Sequence, residues 1–324
     1  MLRSFTTRAI VCGVLVGFVA CNRYPERTSE ERERARPPEG TSLLGEPLLA
    51  PPMSAEARAK HEANLDAAKQ AYYKTPNDAD TIIWLGRRTA YLNQFHEAID
   101  IFTLGINKHP DDPRFYRHRG HRYITTRRLD AAVDDFEKAV TLIAGKPDEV
   151  EPDGLPNAKN IPTSTLQSNI WYHLGLAYYL QGDFPNALRA YRACMKVSTN
   201  PDMQVATEYW LYLTLRRAGE DAEAAALLDS MPSTLELIEN QSYYRLLLMF
   251  KGSESADALW TSAQEGLDKG TIGYGIGAWH LISGRRDEAV AWLRRVLDES
   301  PWPPFGTIAA EADMARLGAP RHAS

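Results

Sequence analysis

The chain has 324 residues, of which 44% are hydrophobic and 24% charged, and its formal net charge at pH 7 is −5. A chain of this length buries enough apolar surface to fold without cross-links. The acidic balance argues against a general nucleic-acid-binding protein, because such proteins carry a surplus of basic residues. The three cysteines, two of them within the first 21 residues, exclude a disulfide framework.

Residues 1–20 have the pattern of an export signal. Arg3 and Arg8 supply positive charge, and a short apolar run follows from Ala9 to Ala20. Crossing a bilayer takes roughly 20 apolar residues, so this run is too short for a membrane helix. The segment is predicted to be a cleavable signal peptide.

The signal ends in Phe18-Val19-Ala20-Cys21. This sequence resembles the lipobox of bacterial lipoproteins, although Phe18 stands where leucine is usual. The resemblance implies acylation of Cys21 and a lipid-anchored protein of the bacterial cell envelope, at the outer membrane and facing the periplasm. The alternative is an ordinary signal peptide that ends at a cysteine.

Residues 21–53 mix charge, proline, serine and glycine without a helical or strand period. This composition predicts a disordered tether with a random-coil span of roughly 30 Å. The alternative is that the Leu43-Leu44 and Leu48-Leu49 pairs dock on the following domain.

A self-similar pattern occupies most of the remaining chain. A glycine, an alanine twelve residues later and a large apolar residue four residues further on recur as Gly86, Ala98 and Phe102; Gly120, Ala132 and Phe136; Gly175, Ala187 and Tyr191; and Gly277, Ala289 and Leu293. The first two copies are 34 residues apart, and the third follows after 34 plus 21 residues. One insertion of 21 residues therefore explains the offset.

This pattern resembles the tetratricopeptide-repeat (TPR) family, whose repeat is a 34-residue helical hairpin. Small residues in both helices allow their close approach, and the aromatic residue is expected to fill the gap to the next hairpin. The resemblance implies an all-α fold, a TPR-type right-handed α-solenoid of about six helical hairpins over residues 54–317, with a C-terminal capping helix. Hairpins are expected at 79–112, 113–146, 168–201, 205–238, 239–269 and 270–303, with single helices at 54–75 and 306–317.

In this family the first helix of each hairpin lines a concave groove. The positions that would line it here are Arg87, Tyr91, Arg114, Arg117, His118, His121, Tyr172, His173, Tyr179, Tyr209, Trp210, Arg216 and Arg217. Arginine and aromatic side chains are common anchors of recognition surfaces, and this set would suit an extended peptide with acidic groups. The alternative is that the arginines pair with acids on neighbouring hairpins.

The insertion at 147–167 contains Asp148, Glu149, Glu151 and Asp153. Long loops within compact arrays are usually functional or disordered. This one is expected either to be solvated or to fold over the basic groove, as a lid or as an internal mimic of an acidic ligand.

The repeats and the leader together predict a membrane-tethered scaffold or adaptor that binds other envelope proteins through extended or helical segments, and not an enzyme. No catalytic residue, metal site, cofactor or nucleic-acid partner is expected. A self-assembling structural subunit, and hence a homo-oligomer, is one alternative. Another is a metal- or carbohydrate-binding protein that uses His118, His121 and His173 or the groove aromatics.

Overall fold

The computed structural model describes residues 36–264 and 266–321, and the described residues from Pro37 onward form one compact unit. The predicted signal peptide, Cys21 and the first part of the predicted tether lie outside the described residues. The described helices are α1 Ala55–Lys74, α2 Ala79–Ala90, α3 Phe95–Lys108, α4 Pro113–Thr125, α5 Leu129–Ile143, α6 Leu166–Gln181, α7 Phe184–Val197, α8 Pro201–Ala218, α9 Asp221–Ser230, α10 Gln241–Phe250, α11 Ala256–Ser262, α12 Leu267–Ile282, α13 Arg286–Glu299 and α14 Phe305–Leu317.

Side-chain caps define where the first helices of the early hairpins begin. Asp78, Asp112, Thr165 and Asn200 precede α2, α4, α6 and α8, and each accepts a hydrogen bond from a backbone N–H of the first turn. Such caps satisfy donors that have no partner within the helix. Helix starts are therefore encoded locally, by residue type.

Helices α2 to α13 pair into six hairpins, and the first helices of successive hairpins contact each other. The predicted all-α, TPR-type fold of helical hairpins is confirmed. The repeated glycine and the repeated aromatic residue meet within a hairpin: a Cβ on Gly175 would lie 2.6 Å from Tyr191 Cε1, and one on Gly86 would lie 2.4 Å from Phe102 Cε1. The aromatic ring thus packs on the glycine of its own hairpin. It also reaches the next hairpin, as expected, because Phe102 stacks on His118 and Phe136 stacks on His173.

The turns within these hairpins require left-handed backbone at one equivalent position. Gly182 and Gly284 supply it with φ of 83° and 75°, and Asn93 with 58°. In the second hairpin the residue is Arg127, with φ of 64°. Arginine has no intrinsic preference for this region, so contacts made by its side chain must hold it there.

Those contacts come from the C-terminal helix. The Arg127 and Glu311 side chains are 2% and 4% exposed, and Arg127 Nη2 donates to Glu311 Oε1 at 2.5 Å. Helix α14 also contacts α6, α12 and α13. It therefore fills space along the inner side of the hairpins, and does more than cap the last one.

The segment at 37–53 packs near the Arg127–Glu311 pair and Trp302. Leu48 is buried, the Leu43 N–H donates to Glu311 Oε2 at 3.2 Å, and Trp302 Nε1 donates to the Leu49 carbonyl at 2.5 Å. This part of the predicted tether packs on the hairpins through apolar side chains. The composition of the segment could not indicate where they would dock. Of the two leucine pairs in the docking alternative, Leu48 is buried and Leu43 and Leu44 pack against the core, whereas Leu49 is 59% exposed.

Within the described residues, no helix is both long and apolar enough to cross a membrane.

Candidate functional site

A cavity of about 300 Å³ lies between the first helices of the early hairpins and the inserted loop. We call it the basic cleft. The residues that line it are Arg87, Ala90, Tyr91, Phe102, Arg117, His118, His121, Arg122, Glu151, Pro152, Asp153, Leu155, Pro162, Thr163, Ser164, Asn169 and Glu239. It brings together five of the predicted groove residues: Arg87, Tyr91, Arg117, His118 and His121.

Three guanidinium groups form the helix side of the basic cleft. Arg87 extends from α2, and Arg117 and Arg122 extend from α4. Burial lowers the pKa of Arg117, and burial together with the neighbouring Arg117 and Arg87 lowers the pKa of Arg122 to about 10. Because arginine carries a positive charge in proteins, the wall holds concentrated positive charge in a partly dehydrated space.

The inserted loop supplies a carboxylate to this wall. Glu151 Oε2 lies 2.9 Å from Arg117 Nε, and its Oε1 lies 3.9 Å from His118 Nε2. The Glu151 side chain is 9% exposed. Glu151 therefore occupies the cleft as an acidic ligand would, and the expectation that the loop folds over the groove describes the structure.

Backbone contacts seat the loop. Arg87 Nη1 donates to the Pro152 carbonyl at 2.8 Å, and Arg88 Nη1 donates to the Gly154 carbonyl at 2.9 Å. A Cβ on Gly154 would lie 1.9 Å from the Tyr91 hydroxyl oxygen. Only a glycine brings the loop backbone this close to the cleft wall.

Three histidines are packed beside the arginines. His118 stacks on Phe102 with 5.4 Å between ring centroids, and the His121 and His173 rings are 4.6 Å apart. Burial, followed by nearby arginines, lowers the pKa of His173 to about 3 and that of His118 well below its usual value. These rings are neutral at pH 7 and add no charge to the cleft.

A second cavity of about 720 Å³ adjoins the first. Tyr172, His173, Tyr243 and Phe305 line it, and Thr163, Ser164, Asn169 and Glu239 line both cavities. Thr163 Oγ1 donates to Glu239 at the junction. We call this cavity the second cleft; the two are separated only by a bridge between the loop and the segment before α10.

The other predicted groove arginines are engaged elsewhere. Arg114 pairs with Asp112 and Asp80, both at 2.6 Å, Arg216 pairs with Asp221 at 2.7 Å, and Arg217 pairs with the buried Asp313 at 2.9 Å. The alternative of pairing with acids on neighbouring hairpins describes only the Arg114–Asp80 pair. Asp112 and Asp221 lie in the same hairpins as their arginines, and Asp313 lies on α14. None of the three lines the basic cleft or the second cleft, and Arg114 lines a separate cavity of about 650 Å³.

Three predicted groove aromatics are core residues. Tyr179, Tyr209 and Trp210 are at most 1% exposed. The Tyr179 hydroxyl lies 2.7 Å from that of Tyr274 on α12, and the Tyr209 ring lies 4.8 Å from that of Tyr243 on α10. The later hairpins and α14 cover this face, so the groove prediction is wrong for these side chains.

The TPR family model, described as tetratricopeptide repeat, matches residues 168–200. That range holds α6 and α7, with the Gly175–Tyr191 contact in its centre. Residues 168–200 therefore match the tetratricopeptide-repeat family. TPR proteins mediate protein–protein interaction.

Comparison with known proteins found three similarities. The chain is 29% identical over 103 residues to mouse (Mus musculus) tetratricopeptide repeat protein 16, covering 32% of this chain and 12% of that protein. A TPR protein structure from Parabacteroides merdae matches with a TM-score of 0.46, 13% identity and coverage of 80% and 93% of the two chains. The structure of YrrB, described as a TPR protein with an unusual peptide-binding site, matches with a TM-score of 0.42 and 16% identity. The match covers 77% of this chain and 98% of YrrB.

Sequence reasoning missed Arg122. It follows His121 on a TPR first helix, one residue past the positions expected to face the groove, yet it lines the basic cleft. The signal available was the density of arginine on α4, which has four. Among the described residues, no group of three or more histidine, cysteine, aspartate or glutamate side chains is arranged to hold a metal ion.

Proposed function

We propose that this protein is a non-catalytic, protein-binding scaffold of the bacterial envelope, anchored through acylated Cys21. It holds an extended segment of a partner protein in the basic and second clefts. The observation that carries the proposal is that the two clefts adjoin, share four lining residues and follow the first helices of successive hairpins. A partner segment of several residues fits such a path, with arginine and tyrosine side chains as its contacts.

Site-specific photocrosslinking tests the binding surface without weakening the fold. A photoreactive amino acid at Thr163 or Gln241 would face the clefts, and one at Arg192 or Lys196 on α7 would lie on an exposed surface outside them. We expect adducts with one envelope protein from the cleft positions only. Adducts that form from α7 but not from the clefts would reject this binding surface.

Self-assembly is the second candidate, because Val150, Leu155 and Ile161 expose apolar side chains on the inserted loop. The same experiment separates it from the adaptor role. Adducts between two copies of this chain, with a mass in solution that rises with concentration, would favour self-assembly. Adducts with a different protein would favour the adaptor.

The anchor is tested separately. The N-terminal peptide of the mature protein is expected to begin at Cys21 and to carry the mass of its acyl chains. At least two acyl chains are expected, because a single chain does not anchor a protein stably. Cys21→Ser should release the protein from the membrane fraction. An unmodified N-terminus at another residue would reject the lipoprotein assignment.

A further inference from the structure

The charges around the basic cleft have two separate origins. Every guanidinium group that lines it belongs to α2 or α4. The carboxylates among the described lining residues come from the inserted loop, as Glu151 and Asp153, or from Glu239 at the rim. Without the loop, the helix wall would present arginines and the rim glutamate alone.

Arg122 gives the wall a guanidinium group that Glu151 does not pair. Its guanidinium lies 5.5 Å from the centroid of the Phe95 ring, and no ion pair to a carboxylate is found for it among the described residues. Glu151 meets Arg117 through a single oxygen, which also accepts a hydrogen bond from Asn169 Nδ2 at 3.1 Å, and its other oxygen is 3.9 Å from His118. Arginine binds carboxylates best through two parallel hydrogen bonds, and this arrangement falls short of that.

We infer that Arg87, Arg117 and Arg122 form a carboxylate-binding site for an acidic peptide segment, which Glu151 occupies in this structure as an internal substitute that the segment displaces. The inference rests on the proposed function, since the segment belongs to the partner held in the clefts. It adds the ligand class and the group that must leave.

The geometry favours displacement of the loop over its permanent attachment. Beyond Gly154 the residues Leu155, Pro156 and Lys159 are exposed. The loop is held on the arginine wall by Glu151 and by the carbonyls of Pro152 and Gly154. Its far end is held through Thr163, which contacts Glu239 and Asn200. A partner segment with a carboxylate and extended backbone offers Arg87 and Arg117 the same kinds of acceptor once the loop has left.

Peptide binding to the full mature chain tests the site. The probe is a labelled peptide with the sequence of residues 149–155, acetylated and amidated, so that its acids are side chains only. Glu151→Ala should bind it at least tenfold more tightly than the wild type, because the internal competitor is gone. Adding Arg122→Gln should reduce that affinity at least tenfold, whereas adding Arg192→Gln, at an exposed arginine outside the cleft, should leave it unchanged.

Three results would overturn the inference. These are equal binding of the probe to the wild type and to Glu151→Ala, equal binding of a probe in which glutamine replaces the glutamate that corresponds to Glu151, or tighter binding of an acid-free peptide with a free C-terminal carboxylate. If Glu151→Ala fails to fold, Glu151→Gln keeps the side-chain volume and takes its place in the same series.

The two proposals fail separately. Crosslinks from Gln241 to a partner, with no binding of the acidic probe, would reject the carboxylate site and leave the scaffold role. Binding of the probe without any cleft crosslink would keep the site and reject the partner surface.

Discussion

Single residues set how closely the two helices of each hairpin approach. Replacing a helical glycine by alanine normally stabilises by about 0.5–1 kcal/mol. At Gly175 the new Cβ would lie 2.6 Å from Tyr191 Cε1, in a fully buried contact. Overpacking of this kind costs about 1–3 kcal/mol, so steric conflict outweighs helix propensity there.

Gly175→Ala is therefore expected to lower the free energy of unfolding by about 1–2 kcal/mol in urea titration. Gly277→Ala is the matched control, because its Cβ would lie 3.1 Å from Leu293 Cδ2. We expect that variant to stay within about 0.5 kcal/mol of the wild type. Equal effects at both sites would show that Tyr191 moves aside freely.

Buried histidines predict a loss of stability in mild acid. The pKa of His173 is about 3 in the folded chain because of burial and the nearby Arg117, and about 6.5 when unfolded. Between these values the unfolded chain binds more protons, so stability that is present above pH 6.5 is lost as pH falls. His118 and His121 shift in the same direction.

We expect His173→Gln to lose about 2 kcal/mol less than the wild type between pH 7 and pH 5, from denaturant unfolding at each pH. His96→Gln, at an exposed histidine, serves as control and should follow the wild-type curve. If His173→Gln also follows the wild-type curve, that ring does not oppose protonation in the folded state.

At the scale of elements, the inserted loop is bound as a unit by a few short contacts. Its ends pair through the Leu166 N–H and the Glu149 carbonyl at 2.8 Å, and through the Glu151 N–H and the Ser164 carbonyl at 3.2 Å. Gly154 then lies against Tyr91 and Arg87. A side chain at residue 154 should therefore separate the loop from the cleft without unfolding the hairpins.

Gly154→Ala is expected to speed amide hydrogen exchange at Glu151 by about tenfold or more, since about 1–3 kcal/mol of overpacking favours the open loop. The nearest atom to the new Cβ would be the Tyr91 hydroxyl oxygen. Adding Tyr91→Phe removes that atom and should restore part of the protection. No difference between the single and double variants would mean that the loop is held elsewhere.

Helix positions were predictable because their signals are local. Caps such as Asp78 and Asp112 start helices, and the glycine–aromatic spacing pairs them. The fate of the groove arginines was not predictable in the same way. Arg217 pairs with Asp313, 96 residues away, and no repeat spacing encodes a contact made by a helix outside the repeats.

The acidic loop lies between these cases. Its charge pattern suggested a cover for a basic groove, and the structure places Glu151 on Arg117. Which of four acids would reach the wall depended on Gly154, whose fit against Tyr91 exists only in the folded chain. Composition therefore predicted the kind of contact, and packing selected the residue.

At the scale of the whole molecule, Glu311 joins three distant parts of the chain. It lies on the C-terminal helix, accepts hydrogen bonds from Arg127 in the second hairpin, and accepts one from the Leu43 N–H in the N-terminal segment. A TPR solenoid is otherwise held by contacts between neighbours. Through this carboxylate, the stability of the second hairpin, of the N-terminal segment and of the C-terminal helix is coupled.

Glu311→Gln leaves the Arg127 guanidinium buried without its counter-charge, and removing one partner of a buried pair costs about 3–5 kcal/mol. We expect that loss in denaturant unfolding, together with faster amide exchange at Leu43 and Leu48. Glu223→Gln, in the exposed pair with Arg192, should cost less than about 1 kcal/mol.

The double variant Arg127→Met/Glu311→Leu separates the effect of the buried ion pair on stability from its effect on the N-terminal segment. Replacing a buried ion pair by apolar side chains is often neutral or stabilising, so most of the lost stability should return. Protection at Leu43 should not return, because its N–H still has no acceptor. If Glu311→Gln costs no more than Glu223→Gln, apolar packing of α14 holds the ends together, and Arg127 keeps its left-handed backbone for another reason.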